Sequence, residues 1–372
     1  MRRGVERGRA DAAAQGLKPH AIIVEGLTER ERDALVAATR AHGIECFCGD
    51  DWVLLAAATA RLAGLLRAAA SELPEEISQR LGTHLQWSVE APVEWRMRRG
   101  AVELDRPVLV GILNVTPDSF SDGGNYMDPD RALERADQLV AAGADMIDVG
   151  AESTRPGHPD PVPMEEEWRR LEPVLAGLRR RHPDLPISVD TVKAAVADRA
   201  LEAGAWAIND VSGLRLDPEI ADVCARHDAG LVLMHSRGSI QTMATYDHAE
   251  YESVTAELVG ELAAATVVAR ERGVRRERLV VDPGLGFSKR PEHNYRVLAE
   301  LATVAALGLP VMVGPSRKRF LGAVTGKDVS DRDQATAAAC AVAYLFGAHL
   351  FRVHAVDAAR DALAVAHAVR SA

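Results

Sequence analysis

Eight segments share one pattern: VLVGILNV (108–115), MIDVGA (146–151), ISVDT (187–191), AINDVSG (207–213), LVLMH (231–235), LVVDPG (279–284), VMVGPS (311–316) and LFRVH (350–354). Each is a largely apolar run that gives way to polar or small residues at its carboxyl end. Continuous runs, rather than alternation, mark strands buried on both faces, as in parallel sheets covered by helices. Between them lie amphipathic stretches such as DPDRALERADQLVAAG (128–143) and TVKAAVADRALEAG (191–204), many closing on glycine. Eight strands alternating with eight helices over residues 107–372 predict an α/β fold of the (β/α)8 TIM-barrel type. A doubly wound open sheet is the alternative, but no G-x-G-x-x-G opens a first strand–helix turn.

The pattern upstream is different. AIIVEGL (21–27) reads as a strand, and TERERDALVAATRAHG (28–43) as a helix with Thr28 as N-cap, Glu31 three residues on and Gly43 at its close. IECFCGDDWVLLAAA (44–58) reads as a hairpin turning at Gly49-Asp50-Asp51, and two more helical stretches run to about residue 87. Residues 21–88 are thus expected to form a small α+β domain with no catalytic constellation. Residues 1–20, polar and small, are expected to be a disordered tail, and 89–106 a linker or short hairpin.

Composition narrows the function. Hydrophobic residues make up 47% and charged residues 26%, which suits a soluble globular chain with a large core. A formal charge of −10 argues against a nucleic-acid binder, which needs a basic face, but leaves room for a small anionic substrate in a local cationic pocket. The longest uncharged run, ATAAACAVAYLFGAHLF (335–351), is broken by Gly347 and His349 and reads as a buried helix leading into a strand, not a membrane span. The Arg-rich start lacks a secretory apolar core, so a cytoplasmic location is expected. The four cysteines are scattered, as reduced thiols are.

Chemistry in such a barrel sits at the carboxyl ends of the strands. In order these ends offer Asn114, then Glu152 to Pro156, Asp190, Asn209-Asp210, Met234-His235, Asp282, Ser316-Arg317-Lys318, and Arg352 with His354. Any single Asp or Ser here reads equally well as a helix cap, but eight ends converging on one mouth do not. Asp190, Asn209, Asp282 and Lys318 suit the edge of a flat, nitrogen-rich heterocycle, since a carboxylate accepts two N–H bonds from an amino-amidine edge. Asn114, Arg352 and His354 suit a phosphate group and its metal. In VVDPGLGFSKR (280–290) Asp282 reads two ways, as the shaper of a Pro-Gly turn or as a ligand acceptor.

The blocks GILNVTPDSFSDGG (111–124), IDVGAESTRPG (147–157), SVDT (188–191), INDVSG (208–213), DPGLGFSK (282–289) and GPSRKRFLG (314–322) closely resemble the dihydropteroate synthase family over residues 107–370. The resemblance implies condensation of 6-hydroxymethyl-7,8-dihydropterin diphosphate with 4-aminobenzoate in folate synthesis, with Mg²⁺ as cofactor. It implies a pterin site of Asp190, Asn209, Met234, Asp282, Phe287 and Lys318. A 4-aminobenzoate pocket of Phe120, Thr154, Pro156, Phe287 and Ser316 follows, under mobile loops at 116–128 and 152–164. Asn114, Arg155, Arg352 and His354 would hold the diphosphate, Asn114 through the metal. Catalysis would fall to Lys318, Asp282, Arg352 and His354. A homodimer packed through the small-residue helix near 335–347 is also implied. One departure stands out: the family's strand-eight Arg-x-His-Asp is here RVHA, with Ala355 in place of the acid and Asp357 two residues on. The rival readings are a pterin-binding methyltransferase barrel and an inactive barrel kept for partner binding.

Overall fold

The computed structural model describes residues 19–24, 26–41, 44–49, 53–58, 92–116, 128–152 and 161–371, with Leu65, Leu73 and Ile77 singly. The chain divides into two units, the first comprising Met1–Ala91 with Ala306–Gly308 and the second Pro92–Ala305 with Leu309–Ala372.

In the first unit, strands β1 (Pro19–Val24), β2 (Glu45–Cys48) and β3 (Val53–Ala58) form an antiparallel sheet in the order β1-β3-β2, with helix α1 (Glu29–Ala41) between β1 and β2. The capping box is present: Thr28 N–H donates to Glu31 Oε2 at 2.9 Å, and Glu31 N–H to Thr28 Oγ1 at 3.3 Å. Leu35 and Ala38 of α1 are buried together with Val24, Val53 and Leu55. Pro19 and His20, expected in the tail, instead pair with Ala58 and Ala57, because β3 has a free edge for β1 to fill. Residues 1–18, the turn at Asp50-Asp51, Gly43 and most of the helical stretches expected up to 87 lie outside the described residues.

The second unit is the barrel. Its strands are β6 (Val108–Asn114), β7 (Met146–Gly150), β8 (Ile187–Asp190), β9 (Ala207–Asp210), β10 (Gly230–Met234), β11 (Leu279–Asp282), β12 (Met312–Val313) and β13 (Leu350–Val353). They are parallel throughout, and the bridge Val281–Val311 closes the ring between β11 and β12. Every residue of β7, β9, β10 and β11 is buried, which explains the apolar runs. β12 is shorter than the six residues expected, since Gly314 and then Pro315, which lacks an N–H, follow at once.

Helices α2 (Pro129–Ala141), α3 (Met164–Arg181), α4 (Ala194–Glu202), α5 (Glu219–His227), α6 (Val254–Glu271), α7 (Pro291–Ala299), α8 (Leu301–Ala305), α9 (Arg319–Thr325), α10 (Asp333–Leu345) and α11 (Val356–Ser371) follow or link the strands. Local chemistry sets their limits. Asp128 caps α2 by accepting Asp130 N–H at 2.9 Å ahead of Pro129. Helix α3 has acids at 165–167 and arginines at 179–181, matching the helix dipole.

Residues 92–104, expected as a linker or short hairpin, are a hairpin: β4 (Glu94–Met97) pairs with β5 (Gly100–Glu103). Trp95, Met97, Val102 and Leu104 join one buried cluster with Val110, Met146, Ala207, Val232, Val280, Met312 and Leu350. The hairpin therefore belongs to the barrel and plugs its amino-terminal end, leaving the carboxyl end for chemistry. Trp95 Nε1 donates to the Arg278 carbonyl at 2.9 Å, so the one polar atom of that ring is satisfied.

Candidate active site

Parallel strands bring their carboxyl ends to one mouth, and a charged network crosses it. Arg352 of β13 donates from Nε to Asp148 Oδ2 at 2.6 Å and from Nη2 to Asp190 Oδ2 at 2.8 Å. Asp148 Oδ2 also accepts from Asn209 Nδ2 at 3.2 Å, and its Oδ1 accepts from Ser188 Oγ at 2.5 Å. Five side chains from four strands are thus joined, with Asp148 and Asn209 buried. A carboxylate is tolerated in such a place only when paired. Burial pushes Asp190 above the ordinary carboxylate range; Arg352 opposes the shift and Asp148 adds to it.

Asp282 ends β11 and is buried, 4% exposed. Its Oδ1 accepts the Gly284 N–H at 2.7 Å, so the residue does shape the turn. Burial pushes its carboxyl up to about 6, against the pull of that N–H and of Arg352, Lys318 and Lys289. A buried carboxylate facing three cations is also poised to accept from a ligand. The two readings of Asp282 are therefore compatible.

The turn beyond it needs its glycines. Gly284 and Gly286 have φ of +67° and +80°. A Cβ on Gly284 would stand 2.0 Å from the His235 carbonyl oxygen, and one on Gly286 2.8 Å from Lys318 Cδ. With both glycines in place the Phe287 ring lies against Lys318, whose Nζ is 3.8 Å from the ring centroid. Phe287 and Met234 belong to an apolar wall with Val192, Val211, Met243 and Ala244. Gly284→Ala is expected to lower the urea midpoint far more than Gly286→Ala, because backbone cannot yield where a lysine stem can. Gly286→Ala should cost about 1–2 kcal/mol of left-handed strain and register mainly as weaker substrate binding.

At the rim, His354 Nδ1 lies 2.9 Å from Ser316 Oγ, which also accepts the His354 N–H at 3.2 Å. Arg135 Nη2 donates to the His354 carbonyl at 2.7 Å. The Ser316 hydroxyl thus holds the ring in a motif that lacks the usual acid, while Asp357 is exposed in the first turn of α11. Asn114 is half-buried at the end of β6. The stems of the second loop are tied by Lys193, whose Nζ reaches Glu152 at 2.7 Å and Glu167 at 2.5 Å.

The structure brings Asp190, Asn209, Met234, Asp282, Phe287, Ser316, Lys318, Arg352, His354 and Asn114 to the strand ends of one barrel. Two sit differently from expectation. Arg352, assigned to the diphosphate, is engaged with carboxylates in the barrel's centre, and Ser316, assigned to the 4-aminobenzoate pocket, is engaged with His354. Phe120, Thr154, Arg155 and Pro156 lie outside the described residues. Sequence reasoning missed Asp148. The available signal was a lone acid inside a five-residue strand that is otherwise apolar or glycine.

This fold and mouth define a (β/α)8 barrel whose strand ends gather carboxylates, an amide and cations. The Pterin binding enzyme family matches residues 110–354. The dihydropteroate synthase of Synechocystis sp. is 42% identical over 265 residues, covering 71% of this chain and 90% of that protein. A solved Xanthomonas albilineans dihydropteroate synthase with 4-aminobenzoic acid has 42% identity and a TM-score of 0.68, covering 73% of this chain and 96% of that one. The Burkholderia cenocepacia enzyme complexed with 7,8-dihydropteroate has 40% identity and a TM-score of 0.68, covering 75% and 97% respectively. The chain belongs to the dihydropteroate synthase family of pterin-binding enzymes.

Proposed function

We infer that the protein condenses 6-hydroxymethyl-7,8-dihydropterin diphosphate with 4-aminobenzoate, giving 7,8-dihydropteroate and pyrophosphate. The observation that carries this reading is the pair of carboxylates Asp190 and Asp282 at the carboxyl ends of β8 and β11, both raised in pKa by burial and both drawn down by Arg352. An amino-amidine edge supplies the N–H donors that such carboxylates accept once ionised. Asn209 and Lys318 complete the polar contacts with the ring, and Met234 and Phe287 its apolar sides.

We assign the diphosphate to Asn114, Arg155 and His354, with Arg352 adding its charge from its place beside Asp148 and Asp190. Cations placed where negative charge develops on a leaving group are usually the largest part of such catalysis. Asn114 offers a hard amide oxygen, and among the described residues no group of three His, Cys, Asp or Glu could cage a metal. That donor set fits Mg²⁺, an ion that binds through few protein ligands alongside phosphate oxygens. When bound, Mg²⁺ neutralises charge on the diphosphate.

The C–O bond to the diphosphate breaks first, and its electron pair leaves with pyrophosphate. Asp190 and Asp282 stabilise the positive charge that spreads from the methylene into the ring. The amine of 4-aminobenzoate then forms the C–N bond and loses a proton to solvent, so no dedicated base is required. Phe120, Thr154, Pro156, Phe287 and Ser316 form the pocket for this second substrate. Outside the site, exposed Val342 and Leu345 on α10, Phe346 just beyond it, and Val365 and Val369 on α11 support a homodimer through these helices. No helix among the described residues is long and apolar enough to cross a membrane, which is compatible with a cytoplasmic enzyme.

The pterin reading has a pH signature. Asp282 and Asp190 must both be ionised to accept, and burial raises both, so affinity for 6-hydroxymethyl-7,8-dihydropterin should be level above about 7 and fall as pH drops through about 6. The limiting slope approaches about two decades per pH unit with both groups titrating and about one when only Asp190 remains. Titration calorimetry from pH 8 to pH 5 tests this. Asp282→Asn should bind about 10- to 100-fold more weakly at pH 8 and show a flatter acid limb. An unchanged limb in the variant would remove Asp282 from the pterin site.

A further inference from the structure

The turn that carries Phe287 is pinned by a buried amine outside the ring-binding set. Lys289 is 1% exposed. Its Nζ lies 2.8 Å from His235 Nδ1, 3.1 Å from the Phe287 carbonyl oxygen and 3.2 Å from the Gly284 carbonyl oxygen. Burial pushes the amine down to about 7 against the pull of Asp282, so ammonium and neutral amine coexist near neutrality; in the ammonium form each of its three N–H donors meets an acceptor.

His235 is arranged to be one of those acceptors. Burial, and then the charge of Lys289, push its ring down to about 4, so at neutral pH it is uncharged. With Nδ1 accepting from Lys289, the proton sits on Nε2, which faces Glu261 Oε2 at 3.1 Å. Glu261 is held in turn by Arg237 Nε at 3.0 Å. Glu261 of α6 thus lies within ion-pair distance of His235, whose other nitrogen meets Lys289 and, through it, the two carbonyls that bracket the turn. The remaining groups of the turn are also tied down: Gly286 N–H donates to Asn294 Oδ1 at 2.6 Å, and Ser288 N–H to the Met243 carbonyl at 2.7 Å. Lys289 is the member that spans the turn from its first glycine to Phe287.

We propose that Lys289 is a positioning residue for the pterin site, using its amine on the Gly284 and Phe287 carbonyls and on His235 to hold the Phe287 ring against Lys318 and the bound pterin. This deepens the reading given under Proposed function and rests on it. The amine touches no substrate in this role; it acts through the ring it places.

Lys289→Met keeps the apolar stem and removes the amine. The expected result is a rise of about tenfold in Kd for 6-hydroxymethyl-7,8-dihydropterin and in KM for its diphosphate, with kcat within about threefold. A merely weaker fold would lower the active fraction, and so kcat, while leaving KM and Kd alone. In a Phe287→Ala background the same replacement should change Kd by less than about twofold, because the ring it positions is gone. Should Lys289→Met fail to fold, His235→Leu and His235→Asn replace it: leucine removes the acceptor and should show the loss, and asparagine keeps one and should restore binding. Wild-type Kd and KM in folded Lys289→Met, an undiminished loss without Phe287, or equal behaviour of the two His235 variants would overturn the proposal. Wild-type protein that binds no pterin would overturn the functional reading and this proposal with it, whereas wild-type binding with unaffected variants overturns this proposal alone.

Discussion

Asp148→Ala is expected to cost about 3–5 kcal/mol of stability and to reduce turnover by at least about 100-fold. Among the described residues, Asp148 is the carboxylate that meets Arg352, Asn209 and Ser188 together. Without it a guanidinium sunk in the barrel keeps Asp190 as its charge partner, while Asn209 and Ser188 each lose an acceptor. The loss is costly because Arg352, taken out of water, is then compensated by one carboxylate in place of two, and two buried polar groups lose their acceptor. Turnover falls for a related reason: Arg352 then pulls more strongly on Asp190, which the pterin also needs. Asp148→Asn keeps the shape and one acceptor oxygen but no charge, so it should recover part of the stability and less of the activity. Urea denaturation and pyrophosphate release, measured on both variants, check this. Near-wild-type stability in Asp148→Ala would mean that the network does not bear on the fold.

Lys318→Ala is expected to lower kcat/KM for the pterin diphosphate about 100-fold, with a stability change below about 1 kcal/mol. Lys318 is half-buried, so the fold gains little from its charge. Its ammonium rests over Phe287, a cation–π contact that orients both groups toward the ring site. It also helps hold Asp282 down against burial. Removing that cation should let the Asp282 carboxyl rise above about 6, so the acid limb of pterin binding should move to higher pH. Affinity would then be lost first in the pH range just above the wild-type midpoint. Calorimetric titration of wild type and variant reads the displacement directly. A midpoint that stays in place would separate Lys318 from Asp282.

Much of the fold was legible because parallel strands buried on both faces have few residue types open to them. The eight apolar runs announced β6 to β13, and only the ends were overdrawn, most of all at β12, where Gly314-Pro315 stops the ladder. The hairpin at 94–103 was less legible. Its strands are four residues long with charged outer positions, and the burial of Trp95 and Met97 comes from distant strands. Residues at strand ends were found because the barrel dictates where to look. Asp148 and the contacts of Arg352 were not, because they sit within strands, and their partners are 40 to 204 positions away in the chain. Lys289 was visible as a cation after the Pro-Gly turn, but only the folded loop brings it to His235. Ala355 posed a question that sequence left open, and the answer lies in the turn after β12, in the Ser316 hydroxyl.

The most direct measurement gives the full chain pterin diphosphate, 4-aminobenzoate and Mg²⁺, and follows pyrophosphate and dihydropteroate together, beside Lys318→Ala. The expected result is one dihydropteroate formed per pyrophosphate released by the wild-type protein, falling about 100-fold in the variant. Pterin diphosphate that binds but yields no dihydropteroate, or equal rates in the two proteins, would contradict the assignment of this barrel mouth as the site of condensation.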